Sequence, residues 1–262
     1  MPITTRIPLR RLSQAEFGEL SYHVMNHVFA IHNEIGRFFD EKIYKRELAQ
    51  RLPDIRLEEP VEVTFRSFRK TYFLDVLVAE GGLFEFKAVE SLAGRHRAQL
   101  LNYLLLCDLA HGKLVNVRTE DVEHEFVNTH WRAADRRQFV VDTGRWDHTI
   151  PAAAALHEYV NGLLRDLGVG LEIALYEEAV VHQFDGPERM YVDLPVTIGD
   201  RRVGEQTMRL IAPGIALKIT GFERLLDSFE SHAKRLLAHV DLRAIAWINI
   251  NMKQVTFTIL TR

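Results

Sequence analysis

The chain has 262 residues, of which 47% are hydrophobic and 26% charged, with a net charge of −3 and a single cysteine. That balance fits a globular protein of one large or two modest domains and excludes a disordered chain. It also lacks the basic excess of a general nucleic-acid binder, any apolar run near the roughly 20 residues of a membrane helix, and the thiols for an internal disulfide or a Cys-based zinc site.

The opening residues, MPITTRIPLRRLSQ, contain no apolar core of signal-peptide length. With Cys107 placed as a packing residue in the apolar stretch LNYLLLCDLA, the expectation is a protein of the reducing cytoplasm. From residue 13 to about 51 the pattern is helical. Phe17, Leu20, Val24, Val28, Ile31, Ile35 and Phe38 form one apolar stripe, and Ser13 with Glu16 is a capping-box start. Gly36 predicts two helices or a bend, and Pro53 ends the segment. His23 and His27, four apart on the flank, suit a solvated face or, with further ligands, zinc. Extended runs follow at residues 61–66, 72–78 and 83–89, then a helix at 94–111 and strands at 113–118 and 123–129. The order α-βββ-α-β-β predicts an α/β sandwich with a mixed sheet.

The stretch TYFLDVLVAEGGLFEFKAVE, residues 71–90, predicts a hairpin turning at Gly81-Gly82. Asp75, Glu85 and Lys87 interrupt otherwise apolar strands, where a charge is costly unless paired. Glu85 and Lys87 share one face while Phe84 and Phe86 take the other. Two readings fit: a salt-bridged edge strand, or a site for a hard cation and an activated water. Arg66, Arg69, Lys70, Arg95 and Arg97 are candidates for a local basic patch or a solvated face.

Residues 131–150 read as a linker with some order of its own, after which the pattern repeats. IGRFFDEKIYKREL aligns with LGVGLEIALYEEAV, matching Gly36 with Gly168, Asp40 with Glu172 and Tyr44 with Tyr176. AEGGLFEFKAVESL aligns with APGIALKITGFERL, and KLVNV with AWINI, which sets Asn116 against Asn249. The separation is 132 residues in the first block (168 − 36) and 133 in the others (223 − 90 and 249 − 116). Two tandem copies are therefore expected, residues 1–130 and 151–262. At that separation Asp75 meets Met208, Glu85 meets Lys218, Lys87 meets Thr220, Gln99 meets His232 and Tyr103 meets Leu236. The polar set vanishes together while glycines and apolar positions persist, as expected of a second copy that has lost its chemistry.

Asp75 followed by Glu85-Phe86-Lys87 resembles the D-x(n)-E-x-K core of the PD-(D/E)XK nuclease superfamily. Gln99-Leu-Leu-Asn-Tyr103 resembles the QxxxY helix motif of its RecB-like branch. GRFFDEKIY, FEFKAVESL and AQLLNYL are more closely similar to the small GxxExxY proteins of that superfamily. The resemblance implies two restriction-endonuclease-like α/β sandwich domains, the second degenerate; the duplication adds the hypothesis of an intramolecular pseudo-dimer, with the homo-oligomeric state left open. It implies Mg²⁺- or Mn²⁺-dependent hydrolysis of nucleic acid, DNA foremost. Asp75 and Glu85 would ligate the metal, Lys87 would orient or deprotonate water, and Gln99 and Tyr103 would position water or phosphate. Asp40 takes the family's helix Glu position, with Glu41 pointing elsewhere, and Tyr44 matches the motif Tyr. The alternative is a catalytically silent nucleic-acid-binding or assembly module on the same fold.

Overall fold

The computed structural model describes residues 2–262, which divide into two compact units, residues 2–135 and Arg136–Arg262. In the first, Ser13 and Glu16 cap each other's backbone at the start of α1 (Gln14–Ile35). Gly36, with φ of 75°, ends α1, and α2 (Glu41–Arg51) follows a short loop. Next come β2 (Ile55–Phe65), β3 (Phe68–Val78) and β4 (Gly82–Lys87), then α3 (Gly94–Leu106), β5 (His111–Asn116) and β6 (Glu123–Asn128). A short β1 (Ile3–Thr5), not anticipated from the sequence, completes a six-stranded sheet in chain order. All pairs are antiparallel except β4 with β5, which α3 connects as a crossover.

The apolar stripe of α1 and the buried residues Tyr44 and Leu48 of α2 pack on Val76, Val78, Phe84 and Phe86. Leu100 and Leu104 of α3 crowd Gly112 on the opposite face, where a β-carbon would meet them at 3.0 and 3.2 Å. The sheet is thus sandwiched, as expected. The hairpin turn differs from expectation: Ala79 and Glu80 carry its positive φ, 49° and 57°, and Val78 already pairs with Gly82. The glycines serve close approach instead. A β-carbon on Gly81 would lie 2.2 Å from the Arg10 carbonyl, and one on Gly82 2.4 Å from Leu20.

In the second unit β7 (Val140–Arg145) precedes α4 (Pro151–Leu167), α5 (Ile173–Gln183) and a short α6 (Pro187–Met190). Then come β8 (Tyr191–Ile198), β9 (Arg201–Ala212), β10 (Ile215–Thr220), α7 (Leu226–His239), β11 (Ala244–Ile250) and β12 (Gln254–Thr261). The sheet runs β7-β12-β11-β10-β9-β8, with β10–β11 and β12–β7 parallel. Part of the stretch read as linker is therefore sheet. Arg136, also in that stretch, is buried, and its Nη1 donates to the carbonyls of Leu167 and Val169 at 3.2 and 2.9 Å, closing the end of α4. No helix among the described residues is long and apolar enough to cross a membrane.

The two units share side-chain devices as well as element order. The Tyr44 hydroxyl donates to the Gly36 carbonyl, and the Tyr176 hydroxyl to that of Gly168 at 2.7 Å. Asn116 clamps Val89, accepting from its N–H at 3.1 Å and donating to its carbonyl at 2.8 Å. Asn249 does the same to Phe222, at 2.8 and 2.9 Å.

Candidate active site

The site forms where β3 and β4 part company. Their register ends with Val76 opposite Phe84, so Asp75 lies just past the last pair. Its Oδ2 accepts the freed N–H of Phe86 at 2.8 Å. Glu85 and Lys87 alternate with Phe84 and Phe86, and the lysine Nζ donates to Glu85 Oε1 at 2.6 Å. Glu85 is 2% exposed, and its Oε2 is buried with no hydrogen-bond partner. The three charged residues singled out in the sequence are thus brought together at the sheet's opening.

Three further charges surround them, all unassigned by the sequence reading. Lys45 of α2, 5% exposed, gives its ammonium to Asp75 Oδ1 and, at 2.5 Å, to Glu58 Oε1. Glu58 stands opposite Asp75 on β2, where the ladder lapses between Leu57–Val76 and Glu59–Leu74, and its φ is 52°. A left-handed backbone at a residue with a β-carbon costs about 1 kcal/mol, and strain of this kind gathers at functional sites. Glu41, in the first turn of α2, lies 4.0 Å from Lys45. A spacing of four on a helix puts Glu41 and Lys45 on one face, a signal that was present in the sequence. Nothing in the sequence marks the backbone turn at Glu58.

Asp40 does not join this group. It caps α2 without a side-chain bond to the helix, is exposed, and pairs with Lys42 at 3.3 Å. Glu41 is the α2 acid that faces the site, contrary to both halves of the expectation. Helix phase explains it: one residue is a turn of about 100°, enough to exchange solvent for the sheet opening.

Electrostatics follow from burial. Loss of water pushes the Glu85 carboxyl up to about 7, helped by the Asp75 charge and opposed by Lys87. Burial, then Asp75, raises Glu41 as well, against the pull of Lys45 and Lys87. For Lys45, burial favours the neutral amine, but its bonds to Asp75 and Glu58 outweigh that and raise its pKa. Four carboxylates (Glu41, Glu58, Asp75, Glu85) thus face two ammonium groups (Lys45, Lys87), which leaves the cluster short of positive charge. Among the described residues no three acidic, imidazole or thiol groups converge closely enough to hold a metal as they stand. Lys45 occupies one Asp75 oxygen, while the bare Oε2 of Glu85 and the charge deficit suit a hard divalent cation.

Gln99 and Tyr103 bond to each other on α3 (Nε2 to Oη, 3.0 Å), and the Tyr103 ring stands edge-on to Tyr72 of β3. They share the sheet face of Glu85 and Lys87 but make no hydrogen bond to either among those described. Of the basic residues singled out, Arg69 pairs with Glu62 and Arg97 with Glu125. His23 is exposed and His27 half-buried. The corresponding opening in the second unit lacks the acid set: Met208 is buried with Ala216, Ala233 and Leu237, Lys218 stands at the Glu85 position, Thr220 bonds to Asn249 and Trp247, and the nearby ion pair is Arg209 of β9 with Glu177 of α5 at 2.5 Å.

Residues 18–128 match a family model described as the PD-(D/E)XK nuclease superfamily. The match spans every charged residue of this cluster and covers under half of the chain. No curated protein and no solved structure matches the chain. With the family match, the two mixed α/β sandwiches bear out the expected restriction-endonuclease-like fold class.

Proposed function

We propose, from the premise that residues 18–128 carry a PD-(D/E)XK nuclease superfamily domain, that the first unit hydrolyses phosphodiester bonds of nucleic acid with Mg²⁺ or Mn²⁺. One observation carries the reading: a buried carboxylate, Glu85, keeps an unpartnered oxygen inside a cluster short of positive charge. Such a group is costly unless a cation completes it. Asp75 and Glu85 would hold the ion, with Glu41 in reach from α2. When bound, the ion polarises the phosphate and acidifies water.

The protein's own groups do the rest. The Phe86 N–H fixes the Asp75 carboxylate from the sheet side, so only its other oxygen must change partner. Lys87 is anchored by Glu85, and its remaining N–H groups would orient water and counter charge on the phosphate. Lys45, released from Asp75, keeps Glu58 as a partner and need not enter solvent. Gln99 and Tyr103 would flank the phosphate as a hydrogen-bonded pair.

The finer assignment we favour is a GxxExxY-type domain followed by a degenerate second copy. Matching Tyr–Gly and Asn clamps in the two units support the duplication, and buried Met208 supports the loss of chemistry. DNA is the favoured substrate and the cytoplasm the favoured compartment. The test is cleavage of labelled DNA in Mg²⁺ or Mn²⁺ by wild-type protein and by Asp75→Asn and Lys87→Ala variants with unchanged circular dichroism. Cleavage lost in both variants supports the proposal. The seat of Lys45 on Asp75 favours a second reading, a silent binding module. Salt-sensitive DNA binding without cleavage in either metal would establish it.

A further inference from the structure

We infer that the first unit takes its nucleic acid as a single strand, with backbone phosphate held by Arg95 and Arg118 and an unpaired base stacked at Phe38 and Phe39. The inference rests on the nuclease reading and adds to it the class of substrate. A cavity of about 590 Å³ opens directly beyond Lys87, lined by residues 88–91 with Arg95 and Arg118. The Lys87 carbonyl accepts the N–H of Val117 at 2.9 Å, which brings Arg118 alongside the end of β4. The Arg95 charge on α3 and the Lys87 charge at the end of β4 both bear on His96, whose pKa is lowered first by burial and then by Arg95, Lys87 and Arg97. Neither Arg95 nor Arg118 has a carboxylate partner among the described residues, unlike Arg69 and Arg97. Two free guanidinium groups thus stand against one acid of the cavity wall, Glu90. A phosphodiester backbone has the charge and size to fill that space.

The aromatic pair lies on the adjoining loop. His32, at the end of α1, bonds to the Thr119 carbonyl at 3.2 Å, tying the α1–α2 corner to the connection that carries Arg118. Phe38 on that corner is 77% exposed and Phe39 45%, and the Arg37 guanidinium lies 5.3 Å from the centre of the Phe38 ring. Large rings in water next to free arginines match the stacking platforms of single-strand binders. Paired bases stack on one another inside the duplex and must be pried apart before a ring can reach their faces, so these rings engage an unpaired strand at lower cost. The net charge of −3 points the same way. A duplex held through phosphates alone needs a basic surface, whereas stacking supplies affinity that charge does not.

The test is fluorescence anisotropy in EDTA with labelled single-stranded DNA, single-stranded RNA and duplex DNA, on wild type, Phe38→Ala/Phe39→Ala and Arg95→Ala/Arg118→Ala. Wild type should bind the single strands at least about 10-fold tighter than duplex. The aromatic double variant should lose about 10- to 100-fold on single strands and little on duplex. The arginine double variant should weaken binding and reduce the salt slope by about 1.4. Comparing the DNA and RNA arms identifies the sugar. Equal affinity for single strand and duplex overturns the inference, as does an aromatic variant that binds unchanged. A wild-type dimer abolished by the aromatic substitutions also overturns it, by assigning the rings to self-association. Cleavage is scored separately in Mn²⁺. A wild type that cleaves without strand preference leaves the nuclease reading intact and removes this one; strand preference without cleavage does the reverse.

Discussion

Replacing Glu85 by Gln is the sharpest probe of the buried cluster, because it removes a titration while keeping shape. In the folded protein the carboxyl is raised to about 7 from an ordinary 4.5, chiefly by burial and then by the Asp75 charge. A raised acid means that between these values the folded state keeps a proton the unfolded chain has released. Stability therefore falls as pH rises through that window, by up to about 1.4 kcal/mol per pH unit, and the penalty is complete above pH 7. Over a gap of about 2.5 units it reaches about 3 kcal/mol. The variant lacks this slope, so the wild-type deficit relative to Glu85→Gln should grow between pH 4.5 and 7 and then level off. Any constant offset from the altered Lys87 contact drops out of the comparison. Hydrogen exchange of peptides covering β3 and β4, compared between the two proteins at each pH, reads the first unit's opening free energy directly. Saturating Mn²⁺ should flatten the wild-type slope, since a bound cation favours the ionised carboxylate. Parallel pH dependences for wild type and variant would refute the reasoning, because Glu85 would then titrate alike folded and unfolded.

Lys45→Met leaves the Asp75 and Glu58 carboxylates facing each other, so the metal-free protein should lose about 3–5 kcal/mol. The same change removes a competitor for Asp75, so the rise in melting temperature on adding Mn²⁺ should exceed that of wild type; an equal rise would place the ion elsewhere. Asn116→Ala and Asn249→Ala each cut the two hydrogen bonds that clamp one backbone residue, together with those to Glu123 and the Arg118 N–H in the first case and to Thr220 in the second. Each should cost about 2 kcal/mol, measured as exchange protection lost around Val89 or Phe222 in its own unit and not in the other. Gly81→Ala drives a β-carbon into the Arg10 carbonyl and should destabilise the first unit by about 1–3 kcal/mol, with urea unfolding as the measure. Gly36→Ala meets no neighbour but must adopt a φ of 75° with a ψ of −163°, backbone open essentially to glycine alone, so it should cost about 1–3 kcal/mol from backbone strain and not from packing.

The sequence by itself determined the order of the main helices and strands of the first unit, the sandwich, the exchange of faces between Phe84–Phe86 and Glu85–Lys87, and the need for Glu85 to find a partner such as Lys87. These depend on helix and strand periods and on the cost of burying charge, which act locally and leave a pattern in the chain. Tertiary structure alone decided that Glu41 rather than Asp40 faces the sheet opening, since one residue of helix phase exchanges solvent for the site. It alone placed Lys45 on Asp75, aimed Glu58 through a left-handed backbone, made a strand of part of the supposed linker, and gave the hairpin glycines their real task against Arg10 and Leu20. Each of those outcomes is fixed by contacts between segments distant in sequence, and the energy of such a contact belongs to neither segment alone.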